Sequence, residues 1–158
     1  ALSTGERGTN PTGELTSRSA TETFDLGRRV GESLMGGEIL LLSGTLGAGK
    51  TVFVKGLASA LGLDPDDVSS PSFTLVNRHD EGRLTLYHLD LYRLDEGASA
   101  AHAVELDELL SDERAVIIIE WAERMGRYRL PDPVWRVSIE GDGEDPRLVN
   151  IREAEARP

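Results

Sequence analysis

The sequence predicts an α/β protein, a three-layer sandwich built on a central sheet of mixed strand direction. Three observations carry that prediction. Residues 38–43 (EILLLS) form a continuous apolar run that leads into a glycine-rich turn and then a helix-forming stretch. Residues 115–120 form a second apolar strand, closed by Glu120. The pair 134–140 and 147–152 flanks Gly141-Asp142-Gly143, as in an antiparallel hairpin. Strands that alternate with helices imply parallel pairing, and a terminal hairpin adds antiparallel pairing.

The elements follow in order. Residues 1–18 are rich in Gly, Ser, Thr and Asn and read as a flexible N-terminal tail, with a short strand near 14–17. One domain is expected over 19–153, followed by a tail at 154–158. Thr21 or Thr23 is positioned to cap a first helix whose apolar residues Phe24, Val30 and Leu34 share a face, with Leu26 at its edge. Gly36-Gly37 ends that helix. After the strand at 38–43 comes a helix over 50–61, stopped at Gly62. Residues 63–72, with two prolines, three aspartates and three serines, read as a surface loop. Two strands, 73–78 and 83–92, join through Asp80-Glu81-Gly82, and their alternation suggests a partly exposed face. A helix over 98–110 would bury Val104, Leu106, Leu109 and Leu110.

Composition narrows the function. With 158 residues the chain suits one core. No apolar run approaches the roughly 20 residues that span a bilayer. No apolar leader core is seen, so a cytoplasmic location is expected, without membrane association. There is no cysteine, hence no disulfide, thiol nucleophile or thiolate metal site, and the three histidines lack metal-ligand spacing. The net charge of −11 disfavours tight, independent nucleic-acid binding, while leaving room for a local basic patch.

The chemistry is concentrated in Gly44-Thr45-Leu46-Gly47-Ala48-Gly49-Lys50-Thr51, which matches G-x-x-x-x-G-K-[ST] in full, with a strand before it and a helix opening within it. Such glycines turn amide N–H groups inward around an anion, and the helix N-terminus adds positive charge there. Lys50 would reach the β- and γ-phosphates of a nucleotide and Thr51 would ligate Mg²⁺. The fold expected is therefore that of the phosphate-loop (P-loop) nucleoside triphosphatases. Two acids at strand ends, Asp90 and Glu120, are candidates for the metal or the attacking water, and the sequence leaves open which does which. Asn77-Arg78-His79-Asp80 departs from the guanine-reading N-K-x-D and comes too early, so GTP is disfavoured. Arg124, Arg127 and Arg129 read either as a solvated face or as a kinase lid. For Phe73, Tyr92 and Trp121 a plain core role is an open alternative, and His88 reads as a strand residue with a satisfied hydrogen bond.

Four blocks together resemble the TsaE (YjeE) family: the phosphate loop, Ser70-Pro71-Ser72-Phe73-Thr74-Leu75-Val76, Tyr87-His88-Leu89-Asp90-Leu91-Tyr92-Arg93-Leu94, and Ile119-Glu120-Trp121. They stand in family order, and the likeness runs from about Thr21 to Glu140. The resemblance implies a Mg²⁺-dependent ATPase that serves tRNA threonylcarbamoyladenosine modification with TsaD and TsaB, meeting tRNA only through that complex. It implies nucleotide contacts from Thr23, from Thr45, Leu46, Gly47, Ala48, Gly49, Lys50, Thr51 and Val52, and from Trp121. Thr51 and Glu120 would hold the metal, and Asp90, with Lys50 and Glu120, would serve hydrolysis. Ser70, Ser72 and Thr74 would form a switch that senses the γ-phosphate. Three departures stand out: Thr45 and Val52 replace the family's usual Asp and Thr, and Ser72 replaces a Thr. The competing readings are a small-molecule kinase and an ATP-dependent binding module without hydrolysis.

Overall fold

The computed structural model describes residues 11–45, 49–71, 74–94, 102, 104–126, 128–141 and 146–154. Its strands are β1 (Gly13–Ser17), β2 (Ile39–Gly44), β3 (Val76–His79), β4 (Thr85–Asp90), β5 (Ala115–Glu120), β6 (Val134–Glu140) and β7 (Arg147–Glu153). Its α-helices are α1 (Ala20–Ser33), α2 (Lys50–Ala60) and α3 (Leu106–Leu110), with 3-10 turns at Pro65–Asp67 and Ala122–Met125. The seven strands form one sheet in the order β1-β7-β6-β2-β5-β4-β3. β2 runs parallel to β5 and β6, and β4 parallel to β5, whereas the pairs β1–β7, β6–β7 and β3–β4 are antiparallel. This is the mixed α/β sheet the sequence predicts. β1 is the short strand expected near 14–17, and its pairing with β7 makes these residues part of the sheet rather than of a tail.

One sheet face is covered by α1 and α2, whose Leu26, Val30, Phe53, Val54 and Leu57 pack on Leu40, Leu42, Val116, Ile118, Val137 and Ile139. The two helices touch backbone to backbone. A Cβ on Gly27 would lie 2.0 Å from the Phe53 carbonyl oxygen, and one on Gly56 2.0 Å from that of Phe24. Only glycine permits that approach, and it brings the start of α1 close to the start of α2. The opposite face packs Ile39, Leu89, Ile117 and Ile119 against Leu91, Val104, Leu106 and Met125.

Several expectations change. Ser19, rather than Thr21 or Thr23, caps α1, its hydroxyl accepting from the Glu22 N–H. Thr23 is instead buried, its hydroxyl taken up by a hydrogen bond with Ser17. β4 is buried on both faces rather than partly exposed, since β5 and β3 flank it and both layers cover it. β2, expected to be covered on both faces, leaves Leu41 half-buried and Ser43 exposed. The helix expected over 98–110 is described only as α3, and Glu105 before it has φ 53, which an unbroken helix cannot accommodate. Residues 98–101 and 103 lie outside the described residues. The strand expected over 73–78 starts at Val76, after Leu75 with φ 68.

Candidate functional site

The parallel core of the sheet places three chemically distinct strand ends side by side. β2 ends at Gly44, where the phosphate loop starts; β5, beside it, ends at Glu120; β4, one strand further, ends at Asp90. Asp90 and Glu120 are register partners. Ligands of open parallel sheets collect at this carboxyl edge.

α2 begins at Lys50 behind Gly49, whose φ of 103 is left-handed. No side chain caps this helix, and its first turn contains no acid. An eleven-residue helix thus presents its first-turn N–H groups and its dipole without internal compensation, as an anion site requires. Leu46, Gly47 and Ala48 lie outside the described residues. Thr51 and Val52 sit half-buried in the first turn of α2.

Lys50 Nζ donates to the Gly44 carbonyl at 3.3 Å and stands 3.5 Å from Glu120 Oε1. The other oxygen, Oε2, accepts from His88 Nε2 at 2.7 Å. His88 is fully buried, and its Nδ1 has no partner, so the donor nitrogen is the one turned to Glu120. Burial pushes the Glu120 carboxyl up, but the hydrogen bond and charge of His88, reinforced by Lys50, outweigh it and hold the group below its usual value. Glu120 therefore remains a carboxylate although it is only 5% exposed. Asp90 is also buried, and its Oδ1 accepts the Tyr92 N–H at 3.0 Å.

Thr23 closes the site from the α1 side. Its hydroxyl shares a 2.7 Å hydrogen bond with Ser17, and its methyl lies 3.7 Å from where a Cβ on Gly49 would stand. Thr45 hydrogen-bonds the β6–β7 turn, donating to the Gly141 carbonyl at 2.8 Å and accepting from the Gly141 N–H at 3.3 Å. Ser70 and Thr74 are exposed on the loop before β3, and Thr74 donates to Asn77 Oδ1 at 2.7 Å. Ser72 and Phe73 lie outside the described residues.

Trp121 and Tyr92 are not core aromatics. They are 37% and 55% exposed, with ring centroids 4.8 Å apart, and the Arg124 guanidinium lies 5.5 and 5.7 Å from the two rings. That stacking engages one of the arginines a kinase lid would use; Arg127 lies outside the described residues. Trp121 has φ 62 and Leu75, whose carbonyl accepts the Asp90 N–H, has φ 68. Two strained non-glycine residues therefore flank the two acids, as is common where geometry is held for function. Ser17 and the Tyr92–Arg124 contact were not legible in the sequence, because each depends on strands or loops far apart in the chain.

Among the described residues, no three His, Asp or Glu side chains cluster as a metal cage. The donors fit a Mg²⁺ ion held largely by phosphate and water, which needs only one or two protein ligands. A phosphate anion fits the α2 terminus and Lys50.

The chain is similar in sequence and in fold to several known proteins. The family model described as threonylcarbamoyl adenosine biosynthesis protein TsaE matches residues 17–149. A relative from Nostoc, named tRNA threonylcarbamoyladenosine biosynthesis protein TsaE, is 44% identical over 65% of this chain, which spans 64% of that protein, just under two thirds. A Treponema pallidum protein of the same name is 41% identical over 85% of this chain and 96% of its own length. The crystal structure of Bacillus subtilis YdiB superposes with a TM-score of 0.65 at 30% identity, covering 89% of this chain and 86% of that one. With its phosphate-loop motif, its paired strand-end acids and a family match over most of its length, the chain belongs to the TsaE family.

Proposed function

We propose that this protein is a Mg²⁺-dependent ATPase that serves as an accessory switch in tRNA threonylcarbamoyladenosine modification, working with TsaD and TsaB. The observation that carries the reading is the uncapped N-terminus of α2 behind Gly49, with Lys50 suspended between the Gly44 carbonyl and Glu120. The names of the relatives support the pathway, and the family resemblance supports the partners.

In this reading the α2 N–H groups and Lys50 bind the phosphates, and Lys50 neutralises charge on the terminal one. Thr51 and Glu120 would hold Mg²⁺, which supplies charge neutralisation at the phosphates. His88 fixes the Glu120 carboxylate in orientation. Asp90, fixed by the Tyr92 N–H, orients the attacking water from the neighbouring strand end. Trp121 lies beside the nucleotide, Thr23 backs the loop, and Ser70, Ser72 and Thr74 sense the γ-phosphate. The exposed edge around Tyr92 and Trp121 leaves the site accessible to a partner that completes it, and hydrolysis by the isolated chain is expected to be slow.

Calorimetric titration with MgATP tests the binding half. Lys50→Ala, which removes the phosphate-facing cation, should lower ATP affinity by at least about a hundredfold, on the order of 3 kcal/mol. Affinity within a few-fold of wild type would refute the site.

A further inference from the structure

We propose that the part of the sheet face opposite α1 and α2 that Leu91, Val104 and Leu106 leave uncovered is a docking groove for an extended acidic segment of a partner protein, with apolar residues alternating between the acids. β2 is the fourth strand of seven, yet its Ser43 is exposed and its Leu41 only half-buried. A groove of about 960 Å³ lies over this face and runs across β5, β2, β6 and β7. That volume is at the upper end of the range for ligand-binding clefts, roughly 300–1,000 Å³.

The registers fix what lines its floor. One row across the sheet reads Ile119, Leu41, Arg136, Arg152, and the next reads Ser43, Ser138, Asn150. Met125, Tyr128 and Leu130 supply an apolar wall. Arg136 and Arg152 are therefore directly opposite each other on antiparallel strands, a placement that destabilises a sheet through like-charge repulsion. Neither has an ion-pair partner among the described residues. The chain carries 28 acids against 17 basic residues. Glu123, Asp132 and a third arginine, Arg129, also line the groove, and among the described residues neither acid forms an ion pair with Arg136 or Arg152. An opposed, unpaired arginine pair in so acidic a protein is suited to carboxylates supplied from outside. The apolar wall beside it suits aliphatic side chains at every second position of an extended chain. The open shape, with Ser43 one residue before the phosphate loop, favours a chain segment over an enclosed small molecule. This inference does not depend on ATP hydrolysis.

The test uses the full chain and two fluorescein-labelled synthetic peptides, one of alternating Glu and Leu and one of alternating Lys and Leu, read by anisotropy. The net charge of −11 alone would draw the Lys peptide. The groove predicts the reverse, with the Glu peptide bound at least about tenfold more tightly. R136E/R152E should remove that preference, the neutral R136Q/R152Q should weaken it, and R18E/R29E, which changes the same charge on exposed positions elsewhere, should preserve it. Equal or stronger binding of the Lys peptide by the wild type would overturn the proposal. So would unchanged Glu-peptide binding by R136Q/R152Q, or an equal loss in R18E/R29E.

Discussion

Gly56→Ala adds one methyl group where α2 meets the α1 backbone, and the structure sets its cost. The new Cβ would stand 2.0 Å from the Phe24 carbonyl oxygen, 2.8 Å from its carbon and 3.0 Å from the Arg28 nitrogen. These are backbone atoms, so no side chain can rotate away. The helices must part locally by about 1.4 Å to reach the 3.4 Å of ordinary contact. Overpacking of this kind costs about 3 kcal/mol. The better helix propensity of Ala returns about 1 kcal/mol. The net loss is then about 2 kcal/mol, which for a domain of this size lowers Tm by about 4–8 °C. The displacement also moves Thr23 away from Gly49, so nucleotide affinity should fall along with stability. Differential scanning calorimetry with and without MgATP reads both effects. An unchanged or raised Tm would mean that the helix contact is not what holds this part of the site.

Other predictions concern the acids. His88→Ala removes the charge-assisted donor to Glu120 in a fully buried place and should cost about 2 kcal/mol or more, whereas His88→Gln, which restores an N–H, should recover part of it. Thermal melts at neutral pH check this, and a Gln variant no better than Ala would contradict the positioning role. The Glu120 carboxyl is held below its ordinary 4.5, so its contribution to stability is complete above that pH and is lost as pH falls through the lower folded value. Wild-type Tm should therefore drop more steeply than that of Glu120→Gln between neutrality and about pH 3. Parallel curves would show that the ion cluster contributes no linkage.

What could be read from the sequence follows the range of the forces involved. The phosphate loop, β5 and β6 were legible because a continuous apolar run, a glycine pattern and an alternating strand are local signals. Asp90 and Glu120 stood out because each closes such a strand. The burial of β4 was not legible: Tyr87, His88 and Asp90 read as polar, and only flanking strands reveal that His88 faces Glu120. The cap of α1 was misplaced because Ser19, Thr21 and Thr23 are chemically equivalent caps, and tertiary burial of Thr23 chooses among them. Gly27 and Gly56 look like weak helix positions until the facing backbone is seen. The Arg136–Arg152 pair is sixteen positions apart in sequence and becomes visible only through the β6–β7 register.

The most direct test of the account is phosphate release from MgATP by the full chain, alone and with the TsaD–TsaB pair added. The account predicts slow release alone, a clear rise with the pair, and loss of both in Lys50→Ala. Equal rates with and without the pair would contradict the switch reading, and a rate unaffected by Lys50→Ala would contradict the site itself.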